Sequence, residues 1–412
     1  MPDHYDDLET RAPEAREQAL LDALPRLIEN AKRKAPAYGA LLERLDPETI
    51  TTRAAFAELP VTRKSDLVER QASDPPFGGF AATATGELAH VFASPGPIYE
   101  PEARRDDYWR MARALYAAGV RRGELVHNTF SYHFTPAGFM LESGAHALGC
   151  PVFPAGIGQT ELQVETIARL EPSAYVGTPS FLNIILDKAA ELETDVSSIK
   201  KALVGGEALP PSLRQVLADR GVAVRQCYAT ADLGLIAYES EAMQGLIVDE
   251  GVVVEIVRPG TGDPVDSGEV GEVLVTALNP DYPLIRFATG DLSAVMEGSS
   301  PCGRTNVRIK GWMGRADQTT KVRGMFVHPS QVAAVLKRHP EALKGRLVID
   351  NVDNQDLMIL HCEIAQAASD ALCAAIANSV RELCKLRAEV VFDAPGSLAN
   401  DGKIIDDIRS YE

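Results

Sequence analysis

Two stretches of this 412-residue chain place an acid and several cations where sharp backbone turns would let them meet a ligand. In 283–291, "PLIRFATGD", an apolar strand runs into Thr289, Gly290 and Asp291 and leaves a carboxylate at a tight turn at the strand end. About two dozen residues later, Gly-Arg-Ala-Asp occupies 314–317 and Lys-Val-Arg-Gly occupies 321–324. Arg315, Lys321 and Arg323 thus fall close together beside one acid, among glycines that let the chain turn sharply. Such a cluster suits a nucleotide, since a carboxylate accepts both ribose hydroxyls while Arg and Lys face phosphate or a carboxylate substrate. The same spacing also fits a charged loop between two domains.

Three further stretches carry chemistry. "VGGEAL" (204–209) reads as a strand followed by Gly205, Gly206 and Glu207. Paired glycines at a strand end let a planar ring lie on the backbone, and they also serve plain turns. In "CYATADLGLIAYE" (227–239), Tyr228 stands at a strand end with Thr230 and Asp232 after it. The Asp232 carboxylate either holds Mg²⁺ against a phosphate, as oxygen ligands do, or caps a helix beginning at "LGLIAYE". In "NDGKIID" (400–406), Lys403 is presented on a glycine turn, where an isolated lysine is ordinarily a solvated surface residue.

The length admits two or three domains, or one large domain with a small satellite. A hydrophobic content of 45% with 24% charged residues is that of a folded, water-soluble chain. The formal net charge of -17 argues against nucleic-acid or anionic-membrane partners, which select basic surfaces. Six cysteines without a CxxC pair fit free thiols in a reducing compartment rather than a disulfide framework or a zinc ribbon. The polar, acidic N-terminus is unlike a secretory signal, and no apolar run approaches a membrane span, so a cytoplasmic protein is expected.

Residues 7–45 read as helix, interrupted by Pro36, and Thr62 reads as the cap of a helix over 64–70. From about 88 to 240, short apolar runs at 89–93, 125–130, 152–154, 174–177, 202–204 and 223–227 alternate with amphipathic stretches. These stretches cover 106–118, 138–148, 159–170, 180–192 and 211–220, an alternation that predicts an α/β fold with a largely parallel sheet. Strands at 251–257, 271–278 and 284–296 then suggest a small antiparallel or barrel-like β unit. A small α+β domain is expected beyond about residue 317, with helices at 329–338 and 370–386.

Taken together and in order, these stretches resemble the adenylate-forming superfamily, the acyl-CoA synthetases and their relatives, and most closely the phenylacetate–CoA ligase family. The resemblance runs from "DLETRAPEAREQ" near the N-terminus to Lys403. It implies an adenylation domain over 1–316 and a mobile C-terminal lid over 317–412. It also implies a two-step reaction, in which a carboxylic acid attacks the ATP α-phosphate and coenzyme A then displaces AMP. By position, Asp291 would bind the ribose hydroxyls, Arg315 would assist there, and Asp317 would be the hinge. Gly206, Glu207 and Ala208 would flank the adenine above Tyr228, and Lys403 would reach the α-phosphate and carboxylate oxygens. Lys321 and Arg323 are candidate contacts to coenzyme A or phosphate, Asp232 would hold Mg²⁺, and a homodimer is the family expectation.

The chain also departs from the family pattern. A phosphate loop of the outline Ser-Ser-Gly-Thr-Thr-Gly-Lys-Pro is replaced by "FASPGPIYEP" (92–101), which keeps Ser94 and Gly96 but lacks the lysine. Pro95 and Pro97 remove backbone donors and Glu100 adds a like charge, so this loop is expected to hold the β- and γ-phosphates poorly. In "YATAD", Ala229 narrows the acid pocket by a methyl, Ala231 removes a hydroxyl that Thr230 would partly replace, and Asp232 stands for a longer Glu. Only Cys302 matches the Cys/His zinc site of some relatives, so no structural zinc is expected. Tyr132, His133 and Phe134 sit where the family places acid-pocket residues, suiting an aryl or heteroaryl acid. An aromatic cluster packed under a helix, with His133 in a core, fits the same residues. Besides a working ligase, the departures leave two readings: an adenylating or carboxylate-binding protein that makes no thioester, and a non-catalytic binding protein on the same fold.

Overall fold

A computed structural model describes residues 4–94, 98–313, 316, 320–327, 329–352, 355–365, 367–399 and 403–409. The chain forms two compact units, Met1–Met313 and Gly314–Glu412.

The N-terminal helical stretch is broken into a 3₁₀ turn (Asp7–Thr10), α1 (Pro13–Lys34) and α2 (Pro36–Leu41). On α1, Leu20, Leu24, Leu27, Ile28 and Ala31 recur along one face and are buried, while Lys32, Arg33 and Lys34 close its last turn. α3 (Arg53–Ala57) and β1 (Thr62–Arg63) lead into α4 (Lys64–Ser73). Thr62 does not cap α4. It lies in β1 with its hydroxyl 3.3 Å from that of Tyr38, and Arg63 occupies the cap position. The run at 89–93 belongs to a separate antiparallel hairpin, β2 (Leu88–Ser94) with β3 (Ile98–Ala103), rather than to the alternating core.

The core follows the predicted alternation. α5 (Met111–Ala117) precedes β4 (Val126–Asn128), α6 (Ala137–Ala147), β5 (Val152–Pro154), α7 (Thr160–Leu170), β6 (Ala174–Gly177), α8 (Pro179–Glu191), β7 (Lys201–Val204), α9 (Pro211–Asp219) and β8 (Ala223–Thr230). β5, β4, β6, β7 and β8 run parallel in that spatial order. β9 (Gly234–Tyr238) and β10 (Leu246–Val248) then add antiparallel partners to the same sheet. The period of two is visible in the packing: Ala174 and Val176 face α5 and α6, whereas Tyr175 between them packs with α7 and α8. Both faces of the sheet are therefore covered.

β11 (Val252–Val257), β12 (Gly271–Ala277) and β13 (Phe287–Ser293) form a second sheet of order β1-β13-β12-β11. It is an open four-stranded sheet and not the barrel-like unit expected, because β1 joins its edge in parallel and nothing closes it onto β11 among the described residues. β14 (Val295–Met296) and β15 (Arg308–Ile309) return to the large sheet.

The second unit holds a hairpin of β16 (Thr320–Val322) and β17 (Met325–Val327), then α10 (Pro329–Arg338), β18 (Ala342–Val352), β19 (Gln355–Ile364), α11 (Asp370–Cys384), β20 (Glu389–Asp393) and β21 (Ile405–Asp407). Its sheet runs β20-β19-β18-β21 around its own apolar core.

Arg286, just before β13, fixes where that strand begins. It is 2% exposed at a left-handed φ of 43°. Its guanidinium pairs with Glu255 at 3.0 Å and donates to the carbonyls of Leu59 at 2.6 Å and Gly262 at 2.7 Å. Arg286→Met would leave the buried Glu255 carboxylate and these carbonyls unmatched, a loss of about 3–5 kcal/mol. The expected outcome is a clear fall in the urea midpoint of unfolding, and an unchanged midpoint would contradict this role.

Candidate active site

The C-terminal ends of the parallel strands gather at one edge of the large sheet, the edge at which open α/β sheets bind ligands. The loops leaving β4 (129–136), β5 (155–159), β7 (205–210) and β8 (231–233) all lie there. At the β7 exit, Gly205 is buried and Gly206, at φ +80°, is exposed, giving a strip of bare backbone that a Cβ would strain. Glu207 spends its side chain on the start of α8. Its Oε1 accepts the backbone N–H of Ser180 at 2.7 Å in the first turn of α8, where a negative charge is favoured. Ala208 follows, half-buried.

β8 ends in Tyr228, Ala229 and Thr230, all half-buried. The Tyr228 hydroxyl donates to Asp291 Oδ2 at 2.7 Å and lies 3.2 Å from the Thr289 hydroxyl. Asp291 does not stand at a strand end, as its tight turn suggested, but inside β13. Leu274 pairs with Ala288 and Glu272 with Leu292, so four steps along β13 match two along β12. The surplus residues at 289–291 bulge out of the ladder with Gly290 at φ +74°, which aims the carboxylate toward β8. The Asp291 backbone N–H donates to the Thr289 hydroxyl at 3.1 Å, closing the bulge.

The other Asp291 oxygen accepts the Trp312 indole N–H at 3.1 Å. Trp312 was not among the sequence candidates, although it lies two residues before Gly314. It arrives because the chain after β15 runs back along β13, with Lys310 N–H donating to Ala294 and Met313 N–H to Leu292, each at 2.9 Å. Only an N–H donor inside a strand-flanking segment could have flagged it, and no spacing rule links 312 to 291.

Asp232 is buried and does not cap a helix, because the following "GLIAY" is strand β9. Lys64, at the start of α4, donates to Asp232 Oδ2 at 2.6 Å. Thr230 accepts the Leu233 N–H at 3.2 Å, so its hydroxyl shapes the turn. The hairpin brings Glu100 into the same region, fully buried, with the Ser94 hydroxyl donating to its Oε1. Burial, with the Asp232 carboxylate alongside, pushes the Glu100 carboxyl up to about 8, against the opposing pull of Ser94 and Lys64. Gly96 lies outside the described residues.

The acid-pocket candidates separate. Tyr132 is half-buried, donating to Glu142 at 2.6 Å and accepting from Asn128 at 2.8 Å. His133 is exposed and Phe134 is 81% exposed, so neither belongs to a core beneath a helix. In the second unit, Lys321 lies on β16, and Arg323 forms the hairpin turn, its guanidinium donating to the Asp356 carbonyl at 2.7 Å. Lys403 is exposed and pairs with Asp406 at 2.8 Å. Arg315 and Asp317 lie outside the described residues. All six cysteines are free thiols, and among the described residues no group of three or more His, Cys, Asp or Glu side chains converges on a metal position.

The Glu100 shift carries a pH prediction. The folded chain keeps this proton up to about 8, whereas the unfolded chain releases it near the ordinary value of 4.5. The unfolded state therefore binds fewer protons between these values, and stability falls as pH rises through that window and levels off above it. In EDTA, the thermal midpoint of the unmodified chain should decline more between pH 5 and pH 8 than that of Glu100→Gln, and parallel curves would contradict the shift.

The AMP-binding enzyme family matches residues 128–279, the stretch from β4 to just beyond β12. The phenylacetate-coenzyme A ligase of Thermus thermophilus is 32% identical over 379 residues, covering 87% of this chain and 84% of that protein. The phenylacetate-coenzyme A ligase of Pseudomonas putida is 29% identical, covering 87% and 84%. Among solved structures, a 2-hydroxyisobutyryl-CoA ligase in complex with 2-HIB-AMP and CoA superposes with a TM-score of 0.83 at 26% identity, covering 98% of this chain and 92% of that one. No helix among the described residues is long and apolar enough to cross a membrane. Coverage and identity together place the chain in the phenylacetate–coenzyme A ligase family of AMP-binding enzymes.

Proposed function

We propose that this chain is an AMP-forming acid–thiol ligase, which activates a carboxylic acid with ATP and passes the acyl group to coenzyme A. A carboxylate oxygen of the acid attacks the α-phosphorus of ATP, pyrophosphate leaves, and an acyl-adenylate remains. The coenzyme A thiolate then attacks the acyl carbon, and AMP departs. The observation that carries this reading is the Asp291 carboxylate, 8% exposed and held on one oxygen by Tyr228, at the C-terminal end of β8, and on the other by Trp312. A carboxylate offers about four lone-pair sites on its two oxygens, the acceptor geometry that suits a pair of ribose hydroxyls.

The adenine would lie along Gly206, Glu207 and Ala208 with Tyr228 beneath, and Arg315 would assist at the ribose. Lys403 would place its ammonium between the α-phosphate and the attacking carboxylate, since attack of one anion on another needs a cation at the transferring group. Asp317 would be the pivot of a lid comprising 317–412, with 1–316 as the adenylating body. Lys321 and Arg323 would contact coenzyme A or phosphate. The Asp232 oxygen Oδ1, buried and without a partner among the described residues, suits a hard cation such as Mg²⁺. That ion would neutralise phosphate charge. Tyr132, with the exposed His133 and Phe134 at the β4 exit, favours a planar aryl or heteroaryl acid. A cytoplasmic homodimer is the working form we assign. The altered phosphate loop favours a second reading, a carboxylate- or nucleotide-binding protein without turnover.

Purified chain incubated with ATP, Mg²⁺, coenzyme A and a panel of aryl acids should yield acid-dependent AMP and an acyl-CoA thioester. Lys403→Ala should lower adenylation at least tenfold, the order expected for an oriented cation at a transferring group. Asp291→Ala should raise the KM for ATP at least about tenfold, since hydrogen bonds to a charged group are worth about 1.5–3 kcal/mol. AMP formation without thioester would leave only the adenylating half. No product with any acid, together with no nucleotide binding by calorimetry, would sink the enzyme reading.

A further inference from the structure

The buried side chains around Asp232 have more negative charge than the described residues answer. Three oxygens there are buried without a hydrogen-bond partner among the described residues: Glu100 Oε2, Asp232 Oδ1 and the Tyr282 hydroxyl. Their residues are 0%, 4% and 2% exposed. They share one neighbourhood: Asp232 and Glu100 each act electrostatically on Tyr282, and Asp232 acts on Glu100. They converge from three places in the chain: the β2–β3 hairpin, the turn between β8 and β9, and the segment leading to β13.

Each carboxylate is anchored through its other oxygen. Ser94 donates to Glu100 Oε1 and Lys64 to Asp232 Oδ2, which leaves Oε2 and Oδ1 as the oxygens without donors. One lysine offsets one of two buried carboxylates. Like charges buried side by side are costly unless a cation or a proton joins them. Two carboxylates with a neutral oxygen nearby are what Mg²⁺ uses when phosphates and water complete its shell.

We propose that Glu100 and Asp232 together form a seat for a hard divalent cation, Mg²⁺ or Mn²⁺, with the Tyr282 hydroxyl beside it. Glu100 is thereby a metal ligand in a loop whose family pattern has a lysine. The inference rests on the ligase reading and explains how a loop without that lysine manages triphosphate charge. When the cation displaces the Glu100 proton, the two carboxylates, Lys64 and the divalent ion sum to one positive charge facing the nucleotide. Lys64, whose side chain is 32% exposed, links the cluster to solvent. The seat exists before nucleotide arrives, so the cation binds the free protein.

The test uses the full chain, stripped with EDTA and free of nucleotide, titrated with Mn²⁺ and followed by electron paramagnetic resonance. The unmodified chain should take up one tightly held ion, and its thermal midpoint should rise with Mn²⁺. Glu100→Gln, which keeps the shape and the Ser94 contact, should weaken that ion at least tenfold, as should Asp232→Asn. Absence of both uptake and a thermal shift in the unmodified chain overturns the proposal without recourse to any variant. Equal binding by a folded Glu100→Gln would assign the ion to surface acids and also overturn it. Acid-dependent pyrophosphate chemistry without nucleotide-free metal binding would leave the ligase reading and remove the seat. Metal binding without such chemistry would do the reverse.

Discussion

The two hydrogen bonds that hold the Asp291 carboxylate tie together parts of the fold that are otherwise separate. Tyr228 belongs to the end of β8 in the large sheet, Asp291 to a strand of the small sheet, and Trp312 to the segment that follows β15. A carboxylate with one oxygen on Tyr228 and the other on Trp312 cannot rotate freely, so its remaining lone pairs point in fixed directions. Orientation settled during folding need not be settled during binding, which is the physical content of preorganisation. The β13 bulge makes this possible: without the surplus residues at 289–291, a regular ladder would set the Asp291 side chain by strand alternation alone. Arg286 in turn anchors the start of that strand to the segment preceding β1.

Charge is the second constraint. The family pattern brings a loop lysine to the phosphates, and this chain brings Glu100 to the same hairpin and buries it completely. The result is a buried acid pair, Glu100 and Asp232, served by one lysine on α4. An acid kept from solvent in this way either holds its proton or meets a cation, and either state has consequences for nucleotide binding. With the proposed seat, the hairpin would take an exchangeable cation where the family pattern has a fixed one.

Much of this was legible in the sequence. The strands at 152–154 and 174–177 coincide with β5 and β6, and four of the five helices expected between 106 and 220 start within one residue of expectation while α5 starts five residues late, because period-two and helical patterns follow burial on the two faces of one sheet. Family membership followed from the ordered motifs. Several other features could not be read. The hairpin at 88–103 looks like a core strand because apolar residues such as Phe92 and Ala103 join the core that holds α5, yet among the described residues its strands ladder only with each other. The turn after Tyr228 looks like a helix cap, since Asp followed by "LGLIAYE" satisfies local rules that the antiparallel partner strand overrides. The Asp291 bulge is invisible in "FATGD" without knowing the register of β12, and Trp312 and Lys64 reach their partners only through tertiary packing. The exposure of His133 and Phe134 also depends on packing rather than pattern.

Acid activation by this chain runs through an acyl-adenylate, for which the proposed seat is the β8–β13 region built on Asp291. The direct measurement is acid-dependent exchange of labelled pyrophosphate into ATP in the absence of coenzyme A, which reports the first half-reaction alone and its reversal. The account predicts exchange that requires both an acid and a divalent cation. Absence of exchange with every acid tried, in a chain that still binds ATP, would contradict it.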